Sequence, residues 1–213
     1  MSREAHVQFC ESLGVRFPGA THPVLGFQHR ADAEQFLQDW KERLARFGLD
    51  LHPDKTRLIE FGRYAVVNRK ERGVGKPETF NFLGFDFRLV RSWKGTWRPQ
   101  YTPKLKKRTA ILAKLQEIFR RNKSQPVGKV IEVINPILRG WVNYFAVGNS
   151  SRCFAFIQDW VEKKIRRHMM RARKRAGFGW KRWSREWLYE VLGLFHDYRV
   201  RYYVPIPKVA PAR

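Results

Sequence analysis

Residues 151–175 read SRCFAFIQDWVEKKIRRHMMRARKR, and their pattern decides the fold of the second half of the chain. Apolar residues recur there at three- and four-residue steps, which predicts a long amphipathic α-helix. The residues of the inward face are Phe154, Ile157, Trp160, Val161, Ile165, His168 and Met169. The outward face is basic, and its cations are Lys163, Lys164, Arg166, Arg167, Arg171, Arg173, Lys174 and Arg175. We therefore expect a helix that packs on a helical core and turns a cationic surface toward solvent.

The two segments before this helix follow the same pattern. Residues 104–122 and 127–145 each place apolar side chains at helical spacing, the first of them from Leu105 onward. Pro136 lies inside the second segment. It predicts a kink or a restart of that helix, because proline lacks an amide proton and crowds the preceding turn.

Short polar segments separate and end the predicted helices. Residues 148–150 (GNS) predict a turn, with Ser150 as the N-cap of the helix that follows. A last helix is predicted over 184–192, and 206–213 is predicted to be a flexible tail. Residues 102–205 are thus expected to form an all-α domain.

The first hundred residues mix helix and strand signals. The predicted elements are a helix over 29–48, a strand over 56–61, a loop over 62–79, a strand over 80–90, and a hairpin turn at 93–96 that leads into a strand over 97–101. Gly48 is placed as the C-terminal stop of the helix. Residues 1–22 carry no clear period and are treated as an unassigned leader. The expected fold class is α+β: a small unit with one helix on antiparallel strands at 23–101, followed by the helical domain.

Positive charge is concentrated in the second half of the chain. Residues 1–86 hold 13 Lys and Arg against 12 Asp and Glu, whereas residues 87–213 hold 30 against 7. A net charge of +23 over the second part implies strong self-repulsion unless an anion neutralises it. Seven of the eight tryptophans lie in this part, and aromatic planes between cations are typical of proteins that bind RNA. An anionic membrane surface is the alternative partner.

Other classes of protein are disfavoured by the sequence. Cys10 and Cys153 form neither a disulfide framework nor a zinc motif, and the six histidines lack ligand spacing. Residues 73–76 (GVGK) lack the spacing of a phosphate-binding loop. No apolar run reaches the roughly 18 residues of a membrane span, and the N-terminus lacks the apolar stretch of a signal peptide. We expect a cytoplasmic, folded protein with a polyanionic partner.

Several short segments, in this order, resemble group II intron reverse transcriptases over about residues 24–205. Residues 52–56 (HPDKT) look like the late palm motif of these enzymes, and residues 82–85 (FLGF) look like the turn that grips the primer. Residues 135–145 (NPILRGWVNYF) and 148–152 (GNSSR) are similar to the maturase-specific region, which is the thumb of the family. The resemblance implies that 23–101 is a palm remnant and 102–205 a maturase-specific thumb.

The resemblance also implies roles for individual residues. Lys55 matches the lysine on the nucleotide side of the family's palm, and Leu83 and Gly84 match the primer-gripping turn. In the family, the thumb binds the intron RNA and contributes to splicing. Residues of the thumb motif that are thereby candidates for RNA contact are Arg139, Asn143, Tyr144, Asn149 and Arg152, together with the eight cations of the 151–175 helix.

Two of the motif residues have an equally plain structural interpretation. The side chain of Asn149 is also suited to bonding within its own turn rather than to RNA. Trp141 lies at core spacing, although its ring would also suit base stacking. The sequence leaves both alternatives open.

The chain departs from the family at the catalytic site. The Tyr-x-Asp-Asp box of the family would fall on residues 19–22 (GATH), and no carboxylate occurs between Glu11 and Asp32. Phosphoryl transfer from a nucleotide requires metal ions held by such carboxylates. We therefore expect no polymerase activity, no catalytic residue and no cofactor, since the family's Mg²⁺ would lack its ligands.

The sequence thus predicts a 5′-truncated, intron-encoded protein that binds the structured RNA of a group II intron and assists splicing without polymerase chemistry. One rival is a split RNA-directed DNA polymerase that is completed by a separate fingers-palm chain. Another rival is a mobile-element remnant without a function.

Overall fold

A computed structural model describes residues 24–52, 56–62 and 64–201, together with the backbone of residues 5–8. The chain divides into two compact units, the first ending at Gln100 and the second beginning at Tyr101. Among the described residues, the first unit contains two small antiparallel sheets and two helices, and the second unit is helical. The predicted α+β fold class is confirmed.

The first sheet of the first unit has the strand order β2-β1-β3. Its strands are β1 (Ala5–Gln8), β2 (Val24–Phe27) and β3 (Arg57–Ile59), and β1 pairs antiparallel with both neighbours. Within residues 1–22, which the sequence left as an unassigned leader, Ala5–Gln8 form the central strand. Four residues are too short for a period-2 pattern to stand out, and the pairing with β3 joins distant parts of the sequence.

Helix α1 (Arg30–Ala45) packs on this sheet. Ala33 is fully buried, and Phe27, Phe36, Leu37 and Trp40 pack around it. Gly48 adopts a left-handed φ of +66° just beyond the helix, as the predicted stop requires. The predicted helix over 29–48 is confirmed.

The segment predicted as a loop over 62–79 contains a second helix, α2 (Ala65–Glu71). Ala65 is buried, and Arg69 donates to Glu78 with an Nη1–Oε1 distance of 3.3 Å. Arg72 pairs with Glu60. The helix is held by ion pairs to residues that flank it in sequence. Such contacts leave no apolar stripe, so the periodicity of the sequence did not predict the helix.

The second sheet has the order β4-β5-β6, with β4 at Phe80–Phe82, β5 at Phe85–Arg91 and β6 at Trp97–Pro103. The prediction of one strand over 80–90 is wrong, because Leu83 and Gly84 form a two-residue hairpin turn with φ values of +46° and +77°. Two successive positive φ values define the turn that matches the twist of a tight hairpin. The hairpin turn predicted at 93–96 is confirmed, since the Ser92 amide donates to the Thr96 carbonyl at 2.8 Å.

The second unit consists of α3 (Leu105–Arg121), α4 (Val127–Phe145), α5 (Ser151–Ala172) and the short α6 (Arg185–Glu190). Its core is formed by Ile111, Leu115, Val130, Ile131, Ile134, Leu138, Ile157, Val161, Ile165, Met169, Trp183, Leu188 and Leu194. Leu105 does not join this core, contrary to prediction, because it is the first helical residue and is 59% exposed.

Helix α4 runs through Pro136 without interruption, so the predicted restart does not occur. Pro136 lies on the exposed side of the helix, where water can satisfy the carbonyl that loses its amide partner. The opposite side is fixed by Val130, Ile134 and Leu138, which are all fully buried.

Ser150 is the N-cap residue of α5, as predicted, but its side chain makes no capping hydrogen bond. Ser150 precedes α5 but is completely buried, and its hydroxyl donates to the Val147 carbonyl at 2.8 Å instead of capping the helix. Ser184 does cap its helix, since its hydroxyl accepts from the Trp187 amide at 3.1 Å. The predicted flexible tail at 206–213 lies outside the described residues.

Candidate nucleic-acid interface

The outer face of α5 carries four of the eight cations predicted over 151–175. Lys163, Arg167 and Arg171 are exposed along the helix, and Lys164 is half-buried between them. Arg173, Lys174 and Arg175 are also exposed but follow the helix end at Ala172 rather than continue it. The chain turns there because Lys174 has a φ of +54° and the Arg175 amide donates back to the Met170 carbonyl at 3.0 Å.

A groove of about 470 Å³ runs between α3 and α5, and we call it the basic groove. Its lining consists of Gln116, Phe119, Arg120, Lys123, Lys164, Arg167, His168 and Arg171. Five of these eight side chains are Lys or Arg, and they come from both walls. The rings of Phe119 and His168 lie 6.4 Å apart and give the groove an aromatic surface. Cationic walls beside aromatic rings suit a phosphate backbone and its bases.

Neighbouring side chains hold the cations of the basic groove in place. Lys164 Nζ lies 5.0 Å from the centroid of the Trp160 ring, and the Arg167 guanidinium lies 5.6 Å from that of Phe178. A cation that rests on an aromatic face keeps its N–H groups available for an anion. His168 Nε2 lies 3.0 Å from the Gln125 carbonyl oxygen, which fixes the ring on the α3–α4 connection.

Two carboxylates neutralise part of this surface. Glu117 accepts from Arg120 and Arg121, with its Oε1 2.8 Å from Arg120 Nη2 and 2.7 Å from Arg121 Nε. These hydrogen bonds lower the pKa of Glu117 to about 2, so the carboxylate stays charged at neutral pH. Lys163 pairs with Asp159 at 2.6 Å. The groove nevertheless keeps an excess of positive charge.

Arg166 is the predicted cation that does not belong to this surface. Its side chain is 2% exposed, and it donates to Glu162 Oε2 at 3.2 Å and to the Trp183 carbonyl at 3.0 Å. The Trp180 ring covers it, with 4.3 Å between the guanidinium carbon and the ring centroid. The prediction of Arg166 on the outer face is wrong, because a guanidinium can be buried where a carboxylate and a carbonyl satisfy it.

Glu162 is the centre of a buried polar network that ties α5 to α6. The carboxylate is 1% exposed and accepts from Arg185 Nε at 2.9 Å, from Arg166, and from the Tyr189 hydroxyl. Burial and the bond to Glu162 raise the pKa of Tyr189 to about 12, so the phenol keeps the proton that it donates. The network positions the loop that carries Trp180 and Trp183.

The polar residues of the α4 motif lie apart from the basic groove. Arg139 and Asn143 line a cavity of about 390 Å³ with residues of the 193–201 segment. Asn143 Oδ1 accepts from Arg201 Nη2 at 3.2 Å. Asn135 fastens the segment to α4, since it donates to the Gly193 carbonyl at 2.8 Å and accepts from the Phe195 amide at 2.9 Å.

The remaining thumb-motif residues differ in their surroundings. Tyr144 is exposed, and its ring packs edge-on against Phe145. Arg152 is exposed in the first turn of α5. The backbone amide of Asn149 donates to the Tyr101 carbonyl at 2.9 Å, and the side-chain Oδ1 of Asn149 accepts from the Tyr101 backbone amide at 3.3 Å. The side-chain oxygen of Asn149 therefore has a structural role.

The motif positions of the first unit were assigned from the resemblance. Leu83 and Gly84 form the exposed turn between β4 and β5, whereas Lys55 lies outside the described residues. Within 24–52, 56–62 and 64–201, no group of three His, Cys, Asp or Glu side chains is placed to hold a metal ion.

Arg120 and Lys123 are cations of the basic groove that the sequence analysis did not single out. They lie at the end of the predicted basic helix 104–122 and in the connection after it. Their presence in a basic segment was evident, but only the packing of α3 beside α5 places them opposite Lys164 and Arg171.

Part of the helical unit matches a known protein family. Residues 108–187, which run from the first turn of α3 into α6, match the family described as group II intron, maturase-specific domain. No curated protein matches the chain. The match supports a maturase-like origin of this region and a role related to group II intron maturases. No helix among the described residues is long and apolar enough to cross a membrane.

Proposed function

We propose that this chain binds structured RNA of a group II intron through the basic groove and the outer face of α5, and that this binding assists splicing. The observation that carries the proposal is the convergence of five cations, from α3, the connection after it and α5, around an aromatic surface inside the region that matches the maturase-specific domain.

Electrostatics favours RNA over a small anion as the ligand. The cations extend past the groove along α5 and into the turn that follows it, as far as Arg175, so they follow a path rather than surround one point. A path of cations matches a chain of phosphates, and release of counterions from the RNA would drive the binding.

The proposed interface has a second part, the cavity lined by Arg139 and Asn143, which distinguishes one RNA from another. Arg139 and Asn143 offer directional donors and acceptors, whereas lysines and arginines on a helix face contact phosphates of any sequence. We assign these two residues to contacts with particular features of a folded intron.

The proposal predicts a large loss of RNA affinity when the groove loses its cations. The full chain with Lys164, Arg167 and Arg171 all replaced by alanine should bind a structured group II intron RNA about thirtyfold more weakly near 0.1 M salt. The slope of log affinity against log salt should become shallower by about 2 to 3, since each phosphate contact contributes about 0.7 to 0.9. Fluorescence anisotropy titrations over a series of salt concentrations measure both quantities.

A charge-matched variant is the control for this experiment. Lys41, Arg43 and Arg46 are exposed on and just after α1 in the first unit, and their replacement by alanine removes the same net charge. This variant should stay within about twofold of the unchanged chain. Equal losses in the two variants would refute the groove as the binding surface and leave only non-specific attraction by net charge.

We further propose that the chain by itself does not polymerise nucleotides. Supplied with an RNA template, an annealed primer, nucleotides and Mg²⁺, the purified chain should extend no primer above a control without protein, because no carboxylate occurs between Glu11 and Asp32. Extension by the chain alone would contradict this proposal. Extension that requires an added fingers-palm chain would instead support the split polymerase.

A further inference from the structure

The tip of the hairpin between β5 and β6 carries an unusually exposed aromatic side chain. Trp93 is 91% exposed, and it lies in the first unit, outside the residues that match the maturase-specific domain. A tryptophan side chain is usually largely buried, because exposure of its large apolar surface to water is unfavourable unless a partner covers it. Trp93 therefore needs an explanation that packing within this unit does not supply.

The turn that presents Trp93 is held by several hydrogen bonds. The amide of Gly95 donates to the Ser92 carbonyl at 2.9 Å, and the hydroxyls of Ser92 and Thr96 lie 3.0 Å apart. The Lys94 amide donates to the Ser92 hydroxyl at 3.2 Å, and Gly95 has a φ of +80°. A turn fixed in this way limits the backbone entropy that is lost when a ligand binds to its tip.

The charges around the tip have one sign. Residues 87–100 contain Arg88, Arg91, Lys94 and Arg98 and no carboxylate. Lys94 Nζ lies 5.1 Å from the centroid of the Trp93 ring. Because the ring is so exposed, its other face is open to a planar group.

We propose that the tip of the β5–β6 hairpin is a stacking site for an unpaired base of RNA, with Trp93 as the platform and the four cations as contacts for the flanking phosphates. This inference rests on the proposed function for the identity of the polyanion, and it adds a second site in the other unit. A stacking ring beside cations, without base-specific donors, is typical of sites that bind single strands.

The proposal is tested with the full chain and three RNA ligands of equal phosphate number: an unstructured single strand, a blunt duplex, and a strand that lacks its bases. Trp93→Ala should weaken binding to the single strand about tenfold, which corresponds to the loss of one stacked base. It should leave the duplex and the base-free strand within about twofold. Trp93→Phe should keep most of the affinity, because it preserves an aromatic face.

Phe47→Ala is the matched control, since Phe47 is 71% exposed in the same unit but lies away from the basic hairpin in sequence. It should change none of the three affinities. An unchanged single-strand affinity in Trp93→Ala, or an equal loss with the base-free strand, would overturn the stacking site. Loss of binding to anionic phospholipid vesicles, with RNA binding intact, would assign the tip to a membrane and overturn it as well.

The failure of this inference is distinguishable from the failure of the proposed function. The groove variant with three alanines reports on structured RNA through residues of the second unit. If that variant loses affinity while Trp93→Ala changes nothing, only the hairpin site is refuted. If the unchanged chain binds none of the RNAs, both proposals fall.

Discussion

Glu162→Ala should lower the free energy of unfolding of the helical unit by about 3–5 kcal/mol, the usual cost of removing one partner of a buried ion pair. The substitution leaves the guanidinium of Arg166 buried without its carboxylate, and it removes the acceptor of Arg185 and of the Tyr189 hydroxyl. Urea denaturation followed by tryptophan fluorescence measures the effect, because most of the tryptophans lie in this unit.

Asp159→Ala on the same helix is the control for the burial argument. Asp159 pairs with Lys163 at 2.6 Å, but both side chains are about half exposed. An exposed pair four residues apart contributes at most about 1 kcal/mol, so this variant should unfold close to the unchanged chain. If Glu162→Ala costs no more than Asp159→Ala, the buried network does not stabilise the fold.

Gly148→Ala should destabilise the helical unit by about 2–5 kcal/mol, through backbone strain and a steric clash together. Gly148 has a φ of +70°, and a Cβ atom there would lie 2.2 Å from the Tyr101 ring and 2.8 Å from the Tyr101 carbonyl oxygen. The backbone oxygen cannot move aside easily, since it accepts from the Asn149 amide. The same denaturation experiment measures the change.

Gly140→Ala is the matched control, and its expected effect has the opposite sign. Gly140 lies inside α4, and a Cβ atom there would have nothing within 4 Å. Alanine favours a helix interior over glycine by about 0.5–1 kcal/mol, so this variant should be slightly more stable. A Gly148→Ala variant that is as stable as the unchanged chain would mean that Tyr101 does not pack against the α4–α5 turn as described.

The two destabilising substitutions, Glu162→Ala and Gly148→Ala, are also expected to affect the candidate interface through folding. Glu162 fixes the loop in which Trp183 lies, and the Arg173 guanidinium lies 5.7 Å from the centroid of that ring. Weak RNA binding by either variant is therefore interpretable only beside its unfolding curve. The groove variant and Trp93→Ala involve exposed or half-buried side chains, and they should affect affinity with little effect on stability.

The helices of the second unit could be predicted because each has a continuous apolar stripe of its own. The side chains of Ile134, Leu138 and Ile165 are fully buried at the positions that the periodicity indicated. The excess of cations after residue 86 is likewise a property of the sequence alone, and it indicates a polyanionic partner before any fold is known.

Tertiary contacts determined the short elements of the fold and determined which cations line the basic groove. Strand β1 gains its hydrogen bonds from β2 and β3, and α2 is held by Glu60 and Glu78, so neither has a strong local signal. The two-residue turn at Leu83 and Gly84 divides residues 80–90 into two strands, although the sequence pattern predicted a single strand.

Arg166 and Arg167 show most directly why the sequence alone does not decide which cations face solvent. They are neighbours in sequence and have the same side chain, yet the first is buried and the second is exposed in the basic groove. The sequence determines that both are cations on a helix. Which of them meets a buried carboxylate and which faces solvent depends on how α6 and the loop before it pack against α5, because burial of a charge is stable only where a partner compensates it.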